Sequence, residues 1–274
     1  MRDLVSTVSE ELKADRAEAE RIIAALLDRP LFDLYAMDRI SEREQRTISA
    51  AVERMKRGVP VEYLTGRVQF RDHVLSIHPG VFIPRLETEY LVELIQKELQ
   101  SAPATILEIG TGCGALSVAL AFVYPDSRIV ATDISRVAIE NVRQNVKNFR
   151  LASKVHIVQC DMYEGIAGRF DLIISNPPYV PRARLKKLPK SVKDFEPITA
   201  LDGGEEGVEL VQKLIEGCGS RLSDGGLMAI EIDEEAVNII ELLLRKQGIY
   251  SFRFHKDLFG RWRYLFIGDH DEKG

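Results

Sequence analysis

From about residue 86 to its end, the chain alternates short apolar runs with amphipathic helical stretches. "ATILEIG" reads as a strand and "GALSVALAFVYP" as a helix, and "SRIVATD" followed by "SRVAIENVRQNVKNF" repeats the pair. "KVHIVQCD" and "FDLIISN" are further strands; the helix "EGVELVQKLIEGC", the strand "GGLMAIEID" and the helix "EEAVNIIELLLRKQG" come next. "YSFRFHKD" and "WRYLFIG" close the chain as a terminal strand pair. Few architectures accept this order. Strands joined through helices run parallel and each crossover lays a helix on the sheet, so an α/β fold with helices on both faces is expected. Ligands of such sheets bind outside the carboxyl ends of the strands, which makes the residues that end each strand the candidates for chemistry.

The first sixty residues have a different period. "AEAERIIAALLDRP" places Ala19, Ile22, Ile23, Leu26 and Leu27 on one helical stripe, with Pro30 ending it. "SEREQRTISAAVERMKRG" opens with Ser41 and Glu44, a capping-box pair, and closes with Lys56, Arg57 and Gly58. In "RVQFRDHVLSIHPGVFIP", Val68, Phe70, Val74 and Ile77 stand amid polar residues before a Pro79-Gly80 turn, the pattern of a β-hairpin. The expected organisation is a helical domain over 1–60, a hairpin linker over 61–85 and the α/β domain over 86–274. A helical stretch so small and polar is no enzyme by itself. Partner recognition and a purely structural role fit it equally.

A net charge of −5 argues against holding long stretches of nucleic acid by phosphate neutralisation. The first thirty residues carry charge throughout, with no apolar h-region, and no run reaches the ~18 apolar residues of a membrane span. The three cysteines form no CxxC pair and the five histidines lack ligand spacing. A reduced, cytoplasmic monomer with no metal site and no nucleic-acid or membrane partner is the expectation.

"LEIGTGCGALSVAL" is a strand, a glycine turn and a helix. Gly110, Gly112 and Gly114 let the turn close tightly and let backbone approach a ligand. Gly110, Gly112 and Ala115 also satisfy the G-x-G-x-x-G/A dinucleotide pattern, and Asp133, ending the next strand, could accept ribose hydroxyls from either kind of cofactor. Two features favour S-adenosylmethionine (SAM): a third glycine at Gly114, and Glu108 two residues before Gly110. A carboxylate there attracts the cationic amino group of a methionine moiety and repels a pyrophosphate. Asp161, ending the third strand, is placed to bond an adenine amino group or, alternatively, to cap a turn. Met162 beside it could pack on the ring or in the core.

The fourth strand ends in "SNPPYV". A residue before proline is pushed into extended conformation, and Pro177 and Pro178 fix φ near −65° and carry no N–H. The segment is stiff, poor in donors and rich in carbonyls, which suits a planar NH₂ group: the Asn176 amide oxygen can accept one hydrogen and a proline carbonyl the other. Tyr179 offers a ring to a flat substrate. An amide or exocyclic amine attacks poorly because its lone pair is delocalised. Two fixed acceptors orient the nitrogen and stabilise the charge that grows on it, without a strong general base.

With "EIGTGCG" upstream, "ISNPPYV" resembles the SAM-dependent methyltransferases that modify planar nitrogens. "PVEYLTGRVQFRDHVLSIHPGVFIPRLETEYLVE", "FEPITALDGGEEGVEL" and "KDLFGRWRYLF" are similar to segments of the release-factor glutamine methyltransferases. That resemblance implies a Rossmann-like fold with a seven-stranded sheet, SAM as cofactor, and class-1 peptide chain release factors as substrate, methylated on the amide of their Gly-Gly-Gln glutamine. It implies that Asn176, Pro177, Pro178 and Tyr179 contact that glutamine and that Phe82 walls the pocket. Gly110, Thr111, Gly112, Cys113, Gly114, Asp133, Met162 and Asn176 would line the SAM site. Two departures stand out: Leu86 replaces the second proline of the family's IPRPETE, and "EIDEEA" differs from acid-Ile-Gly-x-x-Gln. A ribosomal-protein glutamine methyltransferase shares NPPY but differs at the segment matching "IPRLETE". A DNA adenine methylase would need a large basic recognition region. A non-catalytic nucleoside-binding module would be expected to carry a damaged NPPY, and a dehydrogenase would need hydride chemistry at the fourth strand.

Overall fold

The computed structural model describes residues 1–36 and 39–268, which divide into two compact units. One unit comprises Met1–Arg67 and Pro189–Phe195, the other Val68–Leu188 and the chain from Glu196 onward.

The first unit holds α1 (Arg2–Leu12), α2 (Arg16–Leu27), α3 (Leu31–Ala36), α4 (Glu42–Lys56) and α5 (Val61–Thr65). Ala19, Ile22 and Ile23 of α2 are buried, with Leu26 and Leu27 packed against a core that includes Val5, Val8, Leu34, Ile48 and Val52. The helix stops at Asp28, whose left-handed conformation (φ 55°) closes it before Pro30. The capping box of α4 forms as expected: the Ser41 hydroxyl accepts the Glu44 N–H, and the Glu44 carboxylate accepts the Ser41 N–H at 2.8 Å.

Apart from Arg67, the hairpin β1 (Arg67–Phe70) and β2 (His73–Ser76) opens the second unit. Its tight turn lies at Arg71 and Asp72, with Arg71 left-handed (φ 51°), and Pro79-Gly80 makes a second bend further on. Val68, Phe70 and Ile77 are buried, but Val74 is 55% exposed and Leu75 takes the inward place. Extended chain puts every second side chain on one face, so Val74 and Ile77, three apart, cannot share it.

There follow α6 (Leu86–Glu98), β3 (Thr105–Ile109), α7 (Ala115–Val123), β4 (Arg128–Asp133), α8 (Arg136–Asn148), β5 (Val155–Gln159) and β6 (Phe170–Ser175). Beyond them lie the short α9 (Arg182–Leu185) and α10 (Lys190–Lys193), the latter counted with the first unit, then α11 (Glu209–Cys218) and β7 (Leu222–Glu231). The chain ends in α12 (Val237–Lys246), β8 (Phe252–Lys256) and β9 (Trp262–Ile267). The seven-stranded sheet has the order β5-β4-β3-β6-β7-β9-β8. Strands β3 to β7 pair parallel; β9 runs antiparallel to both β7 and β8. Ile106, Leu107, Leu172, Ile173 and Ile174 are fully buried, as strands covered on both faces require.

Strand order reverses between β3 and β6. Succession from β3 runs outward through β4 and β5, whereas β6 returns to the opposite side of β3 and leads to β7. That is the topological switch point, where crossovers diverge and leave a crevice. Ile109 pairs with Ser175, so β3 and β6 end level, and the glycine turn and "NPPY" emerge side by side.

Candidate active site

The glycine turn is shaped by three left-handed residues. Gly110, Gly112 and Gly114 have φ of 74°, 56° and 85°. The Gly110 and Thr111 N–H groups donate to the Thr132 carbonyl at 2.9 and 2.8 Å, and the Gly114 N–H closes on the Thr111 carbonyl at 2.8 Å. The three positions differ in surroundings. A Cβ on Gly114 would lie 2.5 Å from Cγ2 of Val142, so this glycine lets α7 pack on α8. A Cβ on Gly110 would meet nothing within 4 Å, and one on Gly112 only Cγ1 of Val81 at 4.0 Å. Room for a ligand therefore lies above the first two glycines. Thr111 and Cys113 are buried; burial pushes the Cys113 thiol up to about 12, leaving it a neutral packing group.

Glu108 is 1% exposed beneath this turn. One carboxylate oxygen accepts the Thr111 hydroxyl at 2.8 Å and also the Ser117 hydroxyl, tying the end of β3 to the start of α7. Burial pushes its carboxyl up to about 7, with the two hydroxyls pulling the other way and Asp133 adding to the rise. Asp133 ends β4 and also bridges two backbone donors: Gly112 N–H at 2.9 Å and Ser135 N–H at 2.8 Å. Its carboxyl too is raised, chiefly by burial. Asp161 stands exposed just past β5, and Met162, half-buried in the left-handed region (φ 48°), packs against the core beneath α11 and α12. Ile134, which the sequence reading did not single out, is 62% exposed beside Asp133.

Across the switch point, Asn176 donates its amide N–H to the Thr88 hydroxyl oxygen at 2.9 Å. Thr88, in the first turn of α6, donates in turn to Glu231 at 2.8 Å, and the Tyr179 hydroxyl donates to the other Glu231 oxygen at 2.9 Å. Burial, then the Glu231 charge, raise the Tyr179 hydroxyl well above its usual value, while Arg263 sits over its ring at 5.8 Å. Thr88 and Glu231 belong to the site's framework, and neither is among the candidate site residues read from the sequence, where Thr88 figures only as a neighbour of Leu86. Both lie in the segments marked there as departures, "IPRLETE" and "EIDEEA", which was the available signal.

The loop behind "NPPY" explains "FEPITALDGGEEGVEL". Val180 N–H donates to the Leu201 carbonyl at 2.9 Å and Gly203 N–H to the Val180 carbonyl at 3.0 Å. A Cβ on Gly203 would come within 2.7 Å of the Tyr179 Cα, and one on Gly207 within 2.5 Å of the Tyr179 carbonyl oxygen. Only glycine permits that approach, which braces Pro178 and Tyr179 from behind. Two arginines that follow "NPPY" have partners as well: Arg182 pairs with Asp202 and Glu205, and Arg184 with Asp233 and Glu235.

The arm between β2 and α6 is held at both ends. Buried Asn141 and Asn145 of α8 accept the His78 and Ser76 N–H groups at 2.8 Å each and donate to the Ser76 carbonyl. Glu196 accepts the Ile83 N–H at 3.2 Å and pairs with Arg85, whose guanidinium covers the half-buried Phe82 ring at 4.8 Å. Val81 and Phe82 are thus set between the glycine turn and α6.

These groups suit a ligand with ribose hydroxyls and a cationic amine. Each Asp133 oxygen keeps a lone pair beyond its backbone bond, and Glu108, in its ionised form, places negative potential under an open backbone turn. Among the described residues, which exclude His270, no three His, Cys, Asp or Glu side chains are grouped to share a metal ion. Nor, among them, is any helix long and apolar enough to cross a membrane.

Known proteins resemble the chain at both levels. A family described as "Methyltransferase small domain" matches residues 74–189, and one described as "PrmC N-terminal domain" matches residues 3–66. A release factor glutamine methyltransferase of Rhodopirellula baltica is 35% identical over 263 residues, 92% of this chain and 89% of its own. The human MTRF1L release factor glutamine methyltransferase is 31% identical over 274 residues, covering 92% and 81%. Among solved structures, a methyltransferase from Pyrococcus furiosus superposes with a TM-score of 0.55 at 25% identity, over 71% of this chain and 87% of its own. The N-terminal domain of human METTL16 in complex with SAH shares the fold, with a TM-score of 0.51 at 17% identity over 72% and 76% of the two chains. Similarity at this level over nearly the whole chain, on the methyltransferase sheet described above, makes the protein a member of the release factor glutamine methyltransferase family.

Proposed function

We propose that this chain transfers the methyl group of S-adenosylmethionine to the side-chain amide nitrogen of the glutamine in the Gly-Gly-Gln loop of class-1 peptide chain release factors. Family membership supports the SAM-dependent methylation of release factors, and the relatives' names carry the choice of glutamine. The observation behind the finer reading is the Asn176 amide: its nitrogen is committed to Thr88, which leaves its oxygen as an acceptor at the switch point.

The cofactor, when bound, supplies an electrophilic methyl carbon on a sulfonium. The backbone of Gly110 to Gly114 admits it, Asp133 accepts ribose hydroxyls, and Asp161 with Met162 meets the adenine. Glu108 serves the amino group. A cation above its buried carboxyl pulls the raised pKa back down and keeps the group ionised. On the substrate side, the Asn176 oxygen and the Pro177 carbonyl accept the two amide hydrogens, while Tyr179 and Phe82 flank the planar group. Fixing both hydrogens orients the nitrogen and stabilises the charge it gains as the new bond forms. The methylated nitrogen is then acidic enough to lose its proton without a dedicated base. Removing water from this step is the task of the arm held by Asn141, Asn145 and Glu196.

The helical unit is assigned to recognition of the release factor. It carries its own apolar core and leaves Phe32 of α3 77% exposed. The test is incubation of the enzyme with labelled SAM and a purified class-1 release factor, followed by mass mapping. Label on the glutamine of the Gly-Gly-Gln peptide is expected; label confined to another residue would overturn the reading.

A further inference from the structure

The hydrogen bonds around Asn176 form one chain, and its direction is set at one end. An ionised carboxylate only accepts, so Glu231 accepts one hydrogen bond from Thr88 at 2.8 Å and one from Tyr179 at 2.9 Å. Thr88 has a single hydroxyl proton. Once that proton points to Glu231, its oxygen can only accept from Asn176, which it does at 2.9 Å. The oxygen and nitrogen of an asparagine amide are nearly identical in shape, so packing alone cannot choose which faces outward. Here the choice is made by charge, two bonds away.

We propose that Glu231, acting through Thr88, locks the Asn176 amide with its oxygen toward the substrate and so makes the site select an N–H donor, a primary amide, over the equally shaped carboxylate. This rests on the reading that Asn176 holds the reacting amide. Glu231 and Thr88 are positioning residues, since neither is asked to touch the substrate.

The surroundings of Glu231 agree with an ionised group at neutral pH. It is 1% exposed at the end of β7 and faces Thr88 and Glu87 of α6, Tyr179 after β6, and Arg263 and Tyr264 of β9. Burial pushes its carboxyl up to about 6, against the hydrogen bonds of Thr88 and Tyr179 and the charge of Arg263. A glutamine at 231 could offer Thr88 either an acceptor or a donor, so the chain could run both ways. A valine at 88 keeps the shape and breaks the relay, whereas a serine keeps the hydroxyl.

The experiment uses the full-length enzyme with release factor and SAM, comparing Thr88→Val, Thr88→Ser, Glu231→Gln and Asn176→Ala. Loss of a buried hydrogen bond to a charged group predicts that kcat falls about tenfold to hundredfold in Thr88→Val and Glu231→Gln. SAM affinity should stay within about twofold, and Thr88→Ser should restore most of the turnover. A release factor carrying glutamate in place of the target glutamine should inhibit Thr88→Val more strongly than wild type, because the freed amide can turn its NH₂ outward. Wild-type kcat in both Thr88→Val and Glu231→Gln, alongside an inactive Asn176→Ala, overturns the relay and leaves the Asn176 reading intact. Full turnover in Asn176→Ala overturns that reading first. Equal losses in Thr88→Ser and Thr88→Val, or a parallel loss of SAM affinity, would show a packing role and also overturn the proposal. Should Glu231→Gln fail to fold, the Thr88 pair decides alone.

Discussion

On the β3–β4–β5 side of the switch point, the site is made of turns and strand ends. Glu108 bonds Thr111 and Ser117 within its own strand–turn–helix unit, and Asp133 bonds Gly112 and Ser135. On the β6–β7 side, the bonds that orient Asn176, Thr88 and Tyr179 span 88, 143 and 52 residues of sequence. The first half is a property of one βαβ unit; the second exists only when α6, β6 and β7 have come together. Strict glycine positions dominate the first and side-chain proton order the second. Damage to the cofactor half should therefore appear as lost affinity or stability, and damage to the substrate half as lost turnover in a protein that still folds and binds SAM.

The largest expected effect tests the substrate half. Asn176→Ala should lower turnover about a thousandfold or more while SAM affinity, read by calorimetry, changes little. Comparable losses in both would erase the contrast. Gly114→Ala comes next. With φ at 85° and a Cβ 2.5 Å from Val142, it should cost about 2–4 kcal/mol in denaturant unfolding. A cost below about 1 kcal/mol would mean that α7 and α8 can separate freely. Asp133→Ala should weaken SAM binding about tenfold to hundredfold, leaving single-turnover transfer at saturating SAM close to normal. An unchanged dissociation constant would remove Asp133 from the cofactor half.

A smaller effect separates the halves by pH. Because folding raises the Glu231 carboxyl from its usual value to about 6, its ionisation opposes folding above that pH. As pH falls from 7 toward 4.5 this group should add up to about 2 kcal/mol of stability, a gain that Glu231→Gln lacks. Turnover should move the other way, falling as Glu231 is protonated through about pH 6 and loses its acceptor role. The same sign for both in the wild type, after subtraction of the variant, would contradict the buried ionised group. The smallest effect concerns Leu86, 70% exposed at the first position of α6 after an extended Arg85 (φ −109°, ψ 159°). Both backbone conditions for proline are met, so Leu86→Pro should stabilise by about 0.5–1 kcal/mol, measured as a shift in unfolding midpoint.

Much of this was legible before any coordinates, and unevenly so. The strands and helices quoted from the sequence after residue 103 and the Ser41–Glu44 capping box lie where their periods and end signals put them, whereas α6, α9 and α10 were not among them. The hairpin was foreseen, yet Val74 faces outward because the alternation was counted across a turn whose position was wrong. Glu108 reads as a carboxylate at a strand end that attracts a cationic amino group; that it is also 1% exposed and bonded to Ser117 of α7 appears only in the packing of that helix. Arg182 and Arg184 hold the loop after "NPPY" through four carboxylates that lie 20, 23, 49 and 51 residues away, too far along the chain for a local pattern to show. Glu196 gave no local sign of its task, since its partners Ile83 and Arg85 lie 113 and 111 residues away.

By itself, the sequence determined the order of the sheet's strands and main crossover helices, the glycine turn of Gly110, Gly112 and Gly114, and that a stiff, acceptor-rich tetrapeptide ends the fourth strand. Periodicity, capping and backbone dihedrals are decided by neighbours along the chain, so they can be read there. Tertiary structure alone decided that Thr88 and Glu231 meet at Asn176, and with that which atom of the amide is presented. Hydrogen-bond direction depends on which proton donors and acceptors packing brings within 3 Å of one another, and no local pattern encodes that.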